Sequence, residues 1–187
     1  ATLTTMTVLD LAPQRRQLKA DDAARAFYNT ARQARILSIT RRTYYAVVVN
    51  TAETEQTVPL SNSTSTLRFP GNSVSLVDMG SLSSQTDERI QNVNIYPKDV
   101  IINPVKTDYF IPDKTAKFPS LERTFTDDIF PSNTYVFYFD PAGRVLDRAT
   151  ESGNQLYRTF YFCPQKESNS NAQGMNALTR AITLYGA

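Results

Sequence analysis

Residues 18–50 read LKADDAARAFYNTARQARILSITRRTYYAVVVN, and a change of period inside this stretch decides the fold. Small or apolar residues recur at Ala20, Ala24, Phe27, Ala31, Ala34 and Ser38, in steps of four, three, four, three and four. That is a helical period with one buried face. Arg25, Arg32 and Arg35 lie off the stripe, and no Gly or Pro interrupts it. After Arg41-Arg42-Thr43 the residues turn aromatic and β-branched, through Tyr44, Tyr45, Ala46, Val47, Val48 and Val49. Such residues fit a pleated, packed surface, so a strand is predicted from Tyr45 to Asn50.

Outward from this junction the chain divides unevenly. Pro13 suits the first turn of a helix and Asp10 suits its cap, which predicts a helix over 13–42. Asp21-Asp22 offer an alternative start near Leu18. Downstream, 51–66 is polar, with a short apolar patch at Val58-Pro59-Leu60 that suits an edge strand. Pro70-Gly71 marks a turn, and Val74, Leu76 and Val77 mark another strand. Residues 80–89 read as a loop, and Val93-Asn94-Ile95-Tyr96 and Val100-Ile101-Ile102 as short strands. Residues 103–132 carry four prolines and little periodicity. The clearest hairpin is TYVFYF-DPAG-RVL at 134–146, with Pro second and Gly fourth in a type I turn. Aromatic strand pattern returns at 155–162, and a closing strand at 177–184. The fold class predicted is α+β, a long N-terminal α-helix packed on antiparallel β-sheet. It forms one domain over 1–187, with a β region over 44–187 and a loop-rich insertion at about 51–132.

Composition narrows the chemistry. The 187 residues contain no His, one Cys and a net charge of +2. The first removes the usual general base and the commonest metal ligand. Cys163 has no partner for an internal disulfide or a thiolate metal site, and its run FYFCP reads as a buried apolar segment. Asp127-Asp128 are adjacent in an extended stretch, where side chains diverge, so they read as solvated loop charges. No segment approaches the roughly 18 apolar residues of a membrane span. No catalytic residue, metal or cofactor is therefore expected. The best nucleic-acid candidates are Arg41 and Arg42 beside Tyr44-Tyr45, and Arg144 with Arg148 near the hairpin. Each cluster is small, and phosphate-driven binding needs many contacts. Arg41 and Arg42 also suit the end of a helix, where cations complement the dipole.

The segment Ala34-Arg35-x-x-Ser38-Ile39-Thr40-Arg41-Arg42, running into Tyr45–Asn50, resembles the GspH/FimT family of type IV pilin-like proteins. There the helix ends in an Ala-Arg-x-x-Ala-Ile pattern with basic residues before the first strand. Val136-Phe137-Tyr138-Phe139-Asp140-Pro141-Ala142-Gly143 is similar to the family's hairpin, and Ala181-Ile182-Thr183-Leu184-Tyr185-Gly186 to its last strand. The resemblance covers both ends of the chain and only loosely the middle. The family's cleavage site and its hydrophobic N-terminal helix half do not occur in this sequence. The resemblance therefore implies the soluble part of a longer precursor. The C-terminal basic motif of members proposed to take up DNA is also missing, since the chain ends Leu184-Tyr185-Gly186-Ala187.

What the resemblance implies is a minor pilin or pseudopilin. Such a chain is a non-catalytic structural subunit that helps assemble or cap a type IV pilus or a type II secretion pseudopilus. Ala24, Phe27, Ala31 and Ala34 would pack the helix on its own sheet. Its partners would be other pilin or pseudopilin subunits in a helical filament, with the inner membrane reached through the missing hydrophobic helix. Its place would be the cell envelope, in the inner membrane and periplasm or on an extracellular filament. Two alternatives stand beside it. One is a surface or tip receptor for DNA or glycan, motivated by the aromatics of 110–130. The other is a virion or shell structural protein, motivated by the β-rich chain with long Pro-containing loops.

Overall fold

The computed structural model describes residues 2–59, 66–80, 89–103, 134–146, 157–164 and 180–185. Among the described residues one helix, α1 (Thr2–Arg41), leads ten strands. At 1.5 Å per residue it is about 60 Å long. It begins well before the expected 13, and Pro13 lies inside it rather than in its first turn. Proline's fixed φ is itself helical, and its cost inside a helix is one lost hydrogen bond and a local clash. The residues ahead of it continue the helix regardless.

The C-terminal end is sharper. Arg42 adopts a left-handed φ of 53°, and the Thr43 amide donates to the Ser38 carbonyl at 3.3 Å. This six-to-one bond closes a Schellman motif, which satisfies an otherwise orphaned carbonyl and turns the chain out of the helix. Thr43 Oγ1 then donates to the Gly80 carbonyl at 2.7 Å, fixing the direction in which the next strand leaves. Glycine is the residue that adopts left-handed backbone without strain. Arg42→Gly is accordingly expected to raise stability by about 0.5 kcal/mol in urea titration, since the relieved strain slightly exceeds the added freedom of the unfolded chain.

The first sheet has the order β5-β4-β1-β7-β8, all antiparallel, from β5 (Arg89–Ile95), β4 (Ser73–Asp78), β1 (Tyr45–Asn50), β7 (Thr134–Phe139) and β8 (Val145–Leu146). The second has the order β10-β9-β6, from β10 (Arg180–Tyr185), β9 (Tyr157–Pro164) and β6 (Val100–Asn103). A separate hairpin joins β2 (Gln56–Pro59) to β3 (Thr66–Phe69). β1 is central, with Val47 opposite Leu76 on one side and Phe137 on the other. All six of its residues are buried. Its odd positions, Tyr45, Val47 and Val49, join the core beneath α1, and Ala46 and Val48 join a second core with Leu67, Phe69, Val136 and Tyr138. A strand covered on both faces needs no polar alternation, which explains the unbroken apolar run AVVV.

The expected short strands at 58–60, 74–77, 93–96 and 100–102 correspond to β2, β4, β5 and β6, although Leu60 lies outside the described residues and β5 starts at Arg89 and excludes Tyr96. β3, just ahead of the expected Pro70-Gly71 turn, was not foreseen. The hairpin at 134–146 is present as β7 and β8. The Gly143 amide donates to the Asp140 carbonyl at 2.8 Å across its turn, and Gly143 has a φ of 80°. The architecture is α+β, one helix laid on antiparallel sheets.

Candidate functional site

The helix has two faces of opposite character, and the inner one is built first. Ala24, Phe27, Ala31 and Ala34, the residues predicted to pack α1 on sheet, are all buried and belong to one cluster. Alanines let the helix backbone sit close to the strands, and Phe27 fills the space between them. Its ring centroid lies 5.7 Å from that of Phe137 in the first sheet, and 4.7 and 5.4 Å from those of Phe160 and Phe162 in the second. One helical side chain thus ties both sheets together.

Polar contacts then fix where α1 lies along the sheets. Asn94 Nδ2 donates to Thr30 Oγ1 at 2.9 Å, and Thr30 Oγ1 donates to the Ala26 carbonyl at 2.8 Å, inside the buried face. Lys19 Nζ donates to Asp99 Oδ2 at 2.6 Å, and Arg180 Nε donates to Asp21 Oδ1. The Lys19 ammonium holds the Asp99 carboxyl below its ordinary pKa. The sign follows: a depressed folded pKa stabilises the fold above the ordinary carboxylate range, and the contribution is lost as pH falls through the depressed value. Both groups are about half exposed, so the effect is small and screened by salt. In thermal melts the native chain should exceed Lys19→Met near neutral pH, and the gap should close on acidification to below the ordinary carboxylate range.

The outer face carries a second helical stripe. Leu18, Arg25, Tyr28, Arg32, Ile36 and Ile39 step by seven, three, four, four and three residues. Leu18 is 60% exposed, Tyr28 53%, Ile36 52% and Ile39 47%. Among the described residues, four of the five exposed large hydrophobic side chains therefore lie on this one helix, the fifth being Ile95. Apart from Phe27 the inner face is built mainly of alanines, while several large apolar side chains face out, unlike a helix that only covers a core. The turn of the β7–β8 hairpin borders this stripe. A Cβ on Gly143 would stand 2.7 Å from Ile39 Cδ1 and 3.3 Å from Arg35 Cγ.

The nucleic-acid candidates separate. Arg41 Nη1 donates to Tyr45 Oη at 3.0 Å and lies 3.5 Å from Asp78 Oδ2, while Tyr45 Oη donates to the same oxygen at 2.9 Å. Burial raises the Tyr45 pKa, and the hydrogen bond to Asp78 adds to it. Arg144 pairs with the buried Asp140 at 2.6 Å. Arg42 is exposed at the Schellman position. Arg148 lies outside the described residues, as does Asp127-Asp128. Arg41 and Arg144 are thus each matched by a carboxylate and do not form one open cationic cluster. Among the described residues no three metal-ligating side chains stand together, and no helix is long and apolar enough to cross a membrane.

The predicted inner residues were legible because they share one period. The outer apolar residues were missed, although the same period marks them: Leu18, Ile36 and Ile39 project opposite the alanines. Lys19, Asp21 and Thr30 were beyond reach, because their partners lie far along the chain. No protein-family model, curated protein or solved structure matches the chain.

Proposed function

We propose that this chain is the soluble part of a minor pilin or pseudopilin, a non-catalytic structural subunit that helps assemble or cap a type IV pilus or type II secretion pseudopilus in the cell envelope. The observation that carries the reading is the double character of α1. Its inner stripe is sealed by two sheets, and its outer stripe leaves large apolar side chains in water. An exposed apolar stripe on a monomer marks a surface for association. A long helix sheathed on one side and open on the other suits a pilin-like fold. Head-to-tail association through unlike surfaces gives an open helical filament rather than a closed ring. α1 also extends toward its N-terminus beyond Ala20, the first buried position described.

The test has two parts. The full-length gene should encode a prepilin peptidase site and about 20 apolar residues ahead of Ala1. The full-length product should then sediment with filaments sheared from the cells that make it. The double substitution Leu18→Arg and Ile36→Arg should remove it from that fraction without changing the melting temperature of the soluble chain. A chain that never enters the filament fraction, or a gene with a plain start codon at this point, overturns the reading. A receptor for DNA draws less support, because Arg41 and Arg144 already face carboxylates.

A further inference from the structure

We infer that the outer stripe of α1 receives a helix from a different chain, one whose matching face carries carboxylates, rather than a second copy of this chain. The inference rests on the assembly reading above and deepens it by naming the partner's chemistry. The stripe from Leu18 to Ile39 runs about 30 Å along the helix, enough for several turns of a partner helix. Four large apolar side chains supply contact area that any apolar partner would accept. Arg25 and Arg32, set between them, supply the choice. Neither forms an ion pair among the described residues.

Charge is distributed to the same effect. α1 holds seven cations and three acids against 13 and 15 in the rest of the chain, so the helix is net positive and the remainder net negative. Of the two acids near the stripe, Asp21 is engaged by Arg180, leaving Asp22 to offset two arginines. Consider two copies docked stripe to stripe. In parallel register Arg25 meets Arg25 and Arg32 meets Arg32. In the antiparallel register that brings Leu18 against Ile39, Arg25 meets Arg32. Both arrangements bury like charges together, which costs several kcal/mol and acts against self-docking. Glu or Asp on a partner at flanking positions turns the same two residues into interhelical ion pairs, as in charge-specified coiled coils.

The experiment uses the whole chain and two synthetic helical peptides with one Leu/Ile seam. One peptide carries Glu beside the seam and the other carries Lys. Calorimetric titration should show the Glu peptide binding at least about tenfold more tightly, with the advantage shrinking as salt shortens the Debye length. The exchange Arg25→Glu with Arg32→Glu should reverse the preference while leaving the melting temperature unchanged, since both side chains are exposed. Equal affinity for the two peptides overturns the inference. So does capture by anionic phosphatidylcholine–phosphatidylglycerol vesicles with no binding of either peptide. Disulfide-linked homodimers of Leu18→Cys, formed in preference to peptide binding, overturn the inference and leave the assembly reading standing. Absence from sheared filaments strikes the assembly reading, whichever peptide is preferred.

Discussion

Phe27→Ala is expected to lower the unfolding free energy by about 3–5 kcal/mol, the range for removing a buried aromatic side chain. The expectation comes from position rather than from size alone. Phe27 is fully buried and its ring touches Phe137 of one sheet and Phe160 and Phe162 of the other. Phe137 and Phe160 lie 5.6 Å apart and Phe137 and Phe139 5.8 Å, so the rings form one continuous cluster. Truncation leaves a cavity where helix and both sheets meet. The surrounding alanines, already at the helix backbone, have no atoms to fill it. Chemical denaturation read by far-ultraviolet circular dichroism checks the magnitude. Phe27→Leu should recover part of the loss, because it keeps most of the apolar volume. A loss below about 1 kcal/mol for Phe27→Ala would mean that the helix does not depend on this anchor.

The second large effect is expected at Asn50, where Asn50→Ala should cost about 2–4 kcal/mol. This side chain is fully buried at the end of β1. Its Nδ2 donates to the carbonyls of Thr54, Phe69 and Pro70 at 3.1, 3.0 and 3.0 Å, and its Oδ1 accepts from the Ala52 amide at 2.9 Å. Its own carbonyl accepts from Tyr96 Oη at 3.0 Å, where burial raises the phenol pKa and keeps the proton in place. One amide therefore ties the backbone of 52–54 to that of 69–70 at the end of β1. Removing it leaves the part-buried Ala52 N–H and three carbonyls, that of Phe69 in a buried contact, without this partner, and each such loss carries a desolvation cost. Gly71 fits the same crowding, since a Cβ there would stand 2.1 Å from the Glu53 carbonyl oxygen. Asn50→Asp should be as harmful as alanine, because a carboxylate cannot donate to the three carbonyls. Denaturant midpoints of the two variants provide the comparison.

These two residues also mark how far sequence reading reaches. Phe27 announces itself through its spacing from Ala24, Ala31 and Ala34, because a helical face is a local property written at intervals of three and four. The β1 strand and the Asp140–Gly143 turn are equally local and were equally legible. Asn50 looked like the last residue of an apolar run, and its role depends on Phe69, Pro70 and Tyr96, brought near only by the sheet. The start of α1 was misjudged because Pro13 signals a boundary locally, while the helix continues through it. The division into two sheets was not readable at all. It depends on β1 choosing β4 and β7 as neighbours and β9 choosing β6 and β10, and long-range pairing leaves no period in the chain.

The position of β1 has a kinetic corollary. Its hydrogen-bonded neighbours occupy both edges, and buried layers occupy both faces. No small opening can hand its amide protons to deuterated solvent. Val47 and Val48 should thus exchange last, at a rate set by rupture of the whole molecule, and their signals would serve as a built-in gauge of global stability.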